Sequence, residues 1–299
     1  MSESQSIRQL IQRSSSELTP SERRLASLLS GANPVVALGS VHQLAKHARI
    51  SAPTVVRFAM KLGFSGYTEF QRAWVSELES SLRSPLTLLD KDPSSGERTF
   101  GERIAELVRQ ATDQELTFEP VITLLSEPAR RVYVRGGRFS QPVAEYLYAH
   151  LREIRGNTEI LNRGWTHDID ATVDMGKRDI VVLFDFRRYQ PDTEAFAQRV
   201  AQQGVTVILF TDRWQSPAAA LARHVLTSDI ASGSPYDSLV PAMAQVEFVA
   251  MGLLERLDDR ATQRLRKLES ARATGEKGRE ADIAEAKPLK RESSKRKAQ

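Results

Sequence analysis

Ser40-Val41-His42-Gln43-Leu44-Ala45-Lys46-His47-Ala48, Arg49-Ile50 and then Ser51-Ala52-Pro53-Thr54-Val55-Val56-Arg57-Phe58-Ala59-Met60-Lys61-Leu62-Gly63-Phe64 read as two short helices joined by a turn of about three residues. Ser40 and Ser51 stand where N-caps belong, because a side-chain oxygen there accepts from an otherwise unpaired amide of the first turn. Gly63 closes the second helix as a C-cap. Leu44, Ala45 and Ala48 share one side of the first helix. Val55, Phe58, Ala59 and Leu62 recur at helical spacing on one side of the second. This is the spacing of a helix-turn-helix.

The other face of the second helix presents Thr54, Arg57 and Lys61. Ser51 and Pro53 sit at its N-terminus, the end that a recognition helix inserts into the major groove. A guanidinium such as Arg57 can bind guanine through two hydrogen bonds, and Thr54 can touch a thymine methyl or a base edge. The Ser51 hydroxyl and the amides at the helix start suit a phosphate. Lys46, Arg49 and Lys61 suit the DNA backbone. His42 and His47 have no clustered partner and are read as ordinary surface or core histidines.

Charge around this motif is segregated. From Arg23 to Thr68 there is no Asp or Glu, while Arg23, Arg24, Lys46, Arg49, Arg57 and Lys61 lie in that stretch. With 38 acids in 299 residues, about six would be expected in those 46 positions. A folded, polar segment cleared of acids fits a polyanion surface. Upstream, a first helix runs through Ile7, Leu10 and Ile11. Thr19-Pro20-Ser21-Glu22 starts a second with a capping box. Leu25, Leu28 and Leu29 give that helix its apolar stripe, and Asn33-Pro34 ends it.

The string from Ile50 to Phe58, then Lys61-Leu62-Gly63-Phe64-Ser65-Gly66-Tyr67 and Glu69-Phe70, resembles the N-terminal signature of RpiR-type (MurR/RpiR) regulators. Leu18 to Leu29, LTPSERRLASLL, is similar to that family's second helix. The resemblance spans about residues 5–80 and implies a DNA-binding transcription regulator.

Residues 81–99, SLRSPLTLLDKDPSSGERT, hold two prolines and a Ser-Ser-Gly turn and read as linker. Beyond them, strand-like runs at Arg131–Val134, Thr158–Leu161, Asp179–Phe184, Val205–Phe210 and Val225–Thr227 alternate with helices. Strands so rich in Val, Ile and Leu imply a parallel sheet covered by helices on both faces. The order is similar to a SIS (sugar isomerase) domain, the usual C-terminal partner of RpiR-type helix-turn-helix domains. In that family a Gly-x-Ser turn after the first strand and a Ser/Thr-rich loop after the middle strand hold a sugar phosphate. Gly136 and Gly137-Arg138-Phe139-Ser140 keep a version of the first turn with one extra residue. The second departs: Asp185-Phe186-Arg187-Arg188-Tyr189-Gln190-Pro191-Asp192-Thr193 has neither the hydroxyls nor the glycine of Ser-x-Ser-Gly-x-Thr.

Two readings of that loop stand. Arg187 and Arg188 supply charged donors for an anionic ligand, or Asp185 neutralises an arginine and the loop is structural. Asp192 and Thr193 either cap the next helix or, for Thr193, join the ligand site. A helix from about Tyr236 to Leu257, carrying Leu239, Met243, Val246, Val249, Leu253 and Leu254, serves an interface or the core.

The expected architecture is therefore an all-α helix-turn-helix domain at 1–80, a linker at 81–100, an α/β SIS-like domain at 101–258 and a charged tail at 259–299 without fixed structure. The tail from Ala271 carries nine Lys or Arg against five acids, which matches the whole net charge of +4. The chain has no cysteine, which removes disulfides, thiol chemistry and Cys-ligated zinc. No signal-peptide core or membrane-length apolar run is present, which fits the cytoplasm. The expected partners are an operator in double-stranded DNA, a small anionic metabolite such as a sugar phosphate, and a second copy of the chain in a homodimer or homotetramer. No cofactor, metal or catalytic residue is expected. A sugar-phosphate isomerase is the rival reading and needs a base near the pocket. His167, Asp168, Asp170 and Glu247 are its candidates, though their spacing certifies none. A second domain that only oligomerises is the third reading.

Overall fold

The computed structural model describes residues 6–30, 39–82, 99–113 and 115–285. The expected stop at Asn33-Pro34, most of the linker and the last part of the tail lie outside them.

Among the described residues, five α-helices form the N-terminal part: α1 (Ile7–Arg13), α2 (Pro20–Ser30), α3 (Val41–Ala48), α4 (Ala52–Lys61) and α5 (Tyr67–Leu82). Local chemistry sets their starts. Ser6 with Gln9, Thr19 with Glu22, and Ser40 with Gln43 each exchange the two hydrogen bonds of a capping box. Arg49 turns the chain in the left-handed region at φ 53° between α3 and α4. Gly63, at φ 95°, lets the Phe64 amide return to the Ala59 carbonyl at 3.1 Å and so closes α4. The apolar sides meet in one core around Leu25, Leu44, Phe58, Phe70 and Trp74.

After α6 (Phe100–Thr112) and α7 (Glu115–Ser126) the chain enters a sheet of five parallel strands: β1 (Val132–Gly136), β2 (Thr158–Leu161), β3 (Ile180–Phe184), β4 (Thr206–Asp212) and β5 (His224–Ser228). Their spatial order is β2-β1-β3-β4-β5. The order in which strands are added reverses between β1 and β3, where Gly136 pairs with Phe184. Such a switch point opens a crevice at the carboxyl ends of the strands. One sheet face, with Val134, Val182 and Phe210, packs on α7, α8 (Gln141–Ile154) and α11 (Val240–Leu257). The other, with Val181, Leu183 and Leu209, packs on α10 (Pro191–Gln202); α9 (Trp165–Ala171) follows β2. No helix among the described residues is long and apolar enough to cross a membrane.

Two expectations are corrected. The helix expected from Tyr236 starts at Val240, and Ser238 instead donates its amide to the Ile230 carbonyl at 2.9 Å. The tail expected to lack structure forms α12 (Asp259–Glu285). Its sequence is rich in the Ala, Arg, Lys, Glu and Leu that favour helix. Buried Ala261 and a pair of Arg264 hydrogen bonds to the Arg152 carbonyl anchor its first turns to the domain.

Candidate DNA-contact helix and ligand cleft

On α4 the buried side is Val55, Phe58 and Ala59. The opposite side carries a hydrogen-bonded line. The Ser51 and Thr54 hydroxyls are hydrogen-bonded to each other at 2.8 Å, and Arg57 Nη2 donates to Thr54 Oγ1 at 3.3 Å. The Ser51 hydroxyl thus bonds Thr54 rather than capping the helix amides. Arg57, Pro53, Lys46 and Arg49 are exposed. Lys61 is placed otherwise than its spacing suggests. Its Nζ binds Glu22 Oε2 at 2.8 Å and the Glu17 carbonyl at 3.0 Å, turning the side chain back toward α2. Burial raises the Glu22 pKa, but the Lys61 and Thr19 hydrogen bonds outweigh it, and the net shift is downward.

The crevice beside β1 and β3 is a cleft of about 420 Å³ lined by Gly137, Ser140, Asp185, Arg187 and Arg188 of the expected set, with Arg138, Asp237, Gln190, Phe139, Phe186, Ile230, Tyr236 and Leu239. Gly136 and Thr193 do not line it. Gly136 serves close packing, since a Cβ there would lie 2.5 Å from the Gln141 backbone. Thr193 is buried and accepts from Arg135 Nη1 at 3.0 Å. Arg135 also binds Asp192 at 2.8 Å and Asp168 at 3.0 Å, so Asp192 and Thr193 hold a buried arginine instead of capping α10. Asp168 is thereby structural, and Glu247 accepts from Tyr146 Oη at 2.9 Å on the surface. The isomerase candidates are not brought together at the cleft.

Neither reading of the 185–193 loop holds alone. Arg187 is neutralised, but by Asp237, which receives both its Nε (2.6 Å) and its Nη2. Asp185 Oδ2 accepts from Ser216 Oγ at 2.5 Å. Burial pushes the Asp185 carboxyl up to about 7 against the lowering from Ser216, and the charge of Asp212 adds to the rise. Asp212 accepts from Tyr189 Oη (2.6 Å), the Trp214 amide (2.9 Å) and the Arg187 amide. Burial still pushes it up to about 6. Arg138 and Arg188 both sit against the exposed Phe139 ring, at 5.4 and 5.3 Å, and no carboxylate pairs with either among the described residues.

The segment from Asp212 to Ser216 reaches the helical domain as well. Arg8, nearly buried on α1, donates through Nη1 to the carbonyls of Gln215 and, at 3.5 Å, Trp214. Gln215 Nε2 donates to Gln12 Oε1 at 3.1 Å. Arg187 stacks on the Trp214 ring at 5.0 Å. Sequence reasoning missed Asp212, Asp237, Gln190, Arg135 and Arg8. A charge inside an apolar strand, as at Arg135, or at its end, as at Asp212, was the one local signal available.

These two parts define a class: a helix-turn-helix domain joined to a sugar-isomerase-type α/β domain. Residues 5–81 match the helix-turn-helix domain of the rpiR family, and residues 126–252 match the SIS domain. The chain belongs to the RpiR-type transcriptional regulators. It is 24% identical over 238 residues to an uncharacterized HTH-type transcriptional regulator of Haemophilus influenzae, covering 77% of this chain and 82% of that one. Among solved structures it is similar to the sugar isomerase domain of an RpiR transcription factor from Sphaerobacter thermophilus (TM-score 0.53, 26% identity, 56% of this chain, 94% of that one). The fold also matches the Vibrio vulnificus NanR protein complexed with ManNAc-6P (TM-score 0.50, 17% identity, 88% of this chain, 97% of that one).

Proposed function

We propose that α4 reads operator DNA and that the cleft senses a small anionic metabolite, which changes operator binding. Ser51, Pro53, Thr54 and Arg57 face the bases or the adjoining phosphates, and Lys46 and Arg49 face the backbone. Two copies of the chain place two such helices on a palindromic operator, as helix-turn-helix dimers do. The protein works in the cytoplasm and is not an enzyme. The cleft's one carboxyl raised toward neutrality, Asp185, is held by Ser216, which favours a structural role over proton transfer.

One observation carries the sensing reading. The segment Asp212–Ser216 bonds the cleft loop through Arg187, Tyr189 and Asp185, and the helix-turn-helix domain through Arg8 and Gln12. A ligand that prefers one arrangement of the cleft loop therefore acts on the element that holds α1. Coupling requires that energetic preference. The test is operator affinity by fluorescence anisotropy at fixed salt, with and without sugar phosphates and organic acids. An affinity that no such metabolite changes refutes sensing; turnover of any of them in isomerase assays refutes the non-enzymatic reading.

A further inference from the structure

The cleft is poorly furnished for a phosphate. Phosphates at the ends of parallel strands are held by backbone amides and helix N-termini. Here three amides at the end of β1 and in the turn after it are already taken by the chain itself. Gly136 donates to Gln141 Oε1 at 2.9 Å, Gly137 to Ser140 Oγ at 2.9 Å and the Phe184 carbonyl at 3.0 Å, and Arg138 to Gln190 Oε1 at 2.6 Å. Gln190 also fills the space beside Gly137, where a Cβ would lie 2.9 Å from its Oε1. The Ser140 hydroxyl donates inward to the Phe184 carbonyl at 2.6 Å. On the facing loop, the Asp185 amide donates to the Phe210 carbonyl at 3.0 Å and the Arg187 amide to Asp212.

Charge points the same way. The lining holds Arg138, Arg187 and Arg188 against Asp185 and Asp237, one net positive charge when all are ionised. Arg187 is bound to Asp237 through two hydrogen bonds. That leaves Arg138 and Arg188, both exposed and both against a Phe139 ring that is 59% exposed. Behind them the wall is apolar, with Ile230 and Leu239. With Asp237 paired to Arg187 and the nearby amides committed, a phosphate would find few donors beyond two guanidiniums, whereas a monoanion needs no more than those. A guanidinium grips a carboxylate through two parallel hydrogen bonds with no help from backbone amides, and here those amides are committed.

The geometry points to an unphosphorylated monocarboxylic acid with an aromatic or branched apolar body as the ligand. Its carboxylate lies at Arg138 and Arg188, and its body lies against Phe139, Ile230 and Leu239. This rests on the reading of the cleft as the sensing site. The 420 Å³ volume falls in the range of small-molecule sites, about 300–1,000 Å³.

Isothermal titration of the full chain at neutral pH tests it, with phenylacetate, 4-methyl-2-oxopentanoate, ManNAc-6P, glucose 6-phosphate and inorganic phosphate as probes. One or both acids bind, Arg188→Ala weakens that binding about tenfold or more, and Arg138→Ala with Arg188→Ala removes it. The phosphates give no heat at millimolar concentration. If a sugar phosphate binds and the acids do not, the ligand class is wrong while the sensing reading stands. If an acid binds equally well to Arg188→Ala, it sits elsewhere and the assignment falls. If no probe binds, the sensing reading itself fails and takes the ligand class with it.

Discussion

The Arg8 guanidinium donates to the backbone carbonyl of Gln215, joining the first helix of the DNA-binding domain to the loop after β4. Arg8 is nearly buried, so no water replaces it readily when it is removed. Losing such a donor leaves buried carbonyls unpaired, at a cost of about 1–3 kcal/mol.

Arg8→Ala is therefore expected to loosen this junction while each core stays folded. Hydrogen exchange of the α1 amides should accelerate about tenfold, the equivalent of 1.4 kcal/mol of lost protection. Gln215→Ala keeps its own carbonyl and loses only the Gln12 contact, so it should accelerate exchange less. Equal protection in wild type and Arg8→Ala would mean that the two domains are not held through this residue.

Glu77 gives the same junction a pH dependence. Its carboxylate accepts from the Ile7 amide at 2.7 Å, and burial pushes its pKa up to about 7, against the lowering from that bond and from Arg8. A carboxyl whose folded pKa lies above its unfolded value favours folding in its protonated form. Its contribution is full below the unfolded pKa near 4.5 and is lost as pH rises through about 7. Glu77→Gln keeps an acceptor without the charge. It should raise stability at pH 8 relative to pH 5, on the order of 1–3 kcal/mol, and flatten the pH profile of Tm over that window. A profile parallel to wild type would remove Glu77 as its source.

Arg57→Ala tests the recognition helix. Arg57 is exposed and bonds only Thr54, so the fold should be unaffected. A lost bidentate base contact costs about 1–3 kcal/mol, or roughly ten- to a hundredfold in specific operator affinity. Binding to unrelated DNA should fall far less. Anisotropy with both DNAs at one salt concentration measures the ratio, and an unchanged ratio would move recognition off this face.

What the sequence disclosed follows from the range of the interactions. The capping boxes, the Gly63 closure and the Val55–Phe58–Ala59 stripe involve residues within about one or two helical turns, so α4 was readable letter by letter. The strands were readable because β3 and β4 are buried on both faces and must be apolar throughout. The cleft was only half legible. Its glycines and arginines lie in loops whose sequence departs visibly from the sugar-phosphate pattern. Their partners lie far along the chain: Asp237 is 50 residues from Arg187, and Asp212 is 25. Tyr236–Leu239 looked like the first turn of an apolar helix, but the Ser238 amide is committed to Ile230 across the loop. The acidic, basic and alanine-rich tail lacks a wide apolar face, and its helix is tied down by arginines reaching carbonyls and carboxylates on α8.

Lys61 shows the same limit in a form that can be measured. Helical spacing places it with Thr54 and Arg57, yet its ammonium is held by Glu22, 39 residues away. Lys46 is exposed, with no carboxylate partner among the described residues. Each protein cation that neutralises a DNA phosphate adds about 0.9 to the slope of log affinity against log salt. Lys46→Ala should therefore reduce that slope by about one while leaving Tm unchanged. Lys61→Met should do the reverse. It strips a nearly buried Glu22 of its cation, so it should lower stability by about 1–2 kcal/mol and leave the salt slope as it was. Salt titrations of operator binding, run beside thermal melts of both variants, separate the two. A slope that falls by one in Lys61→Met would show that DNA draws the lysine away from Glu22 and restores it to the face its spacing suggests.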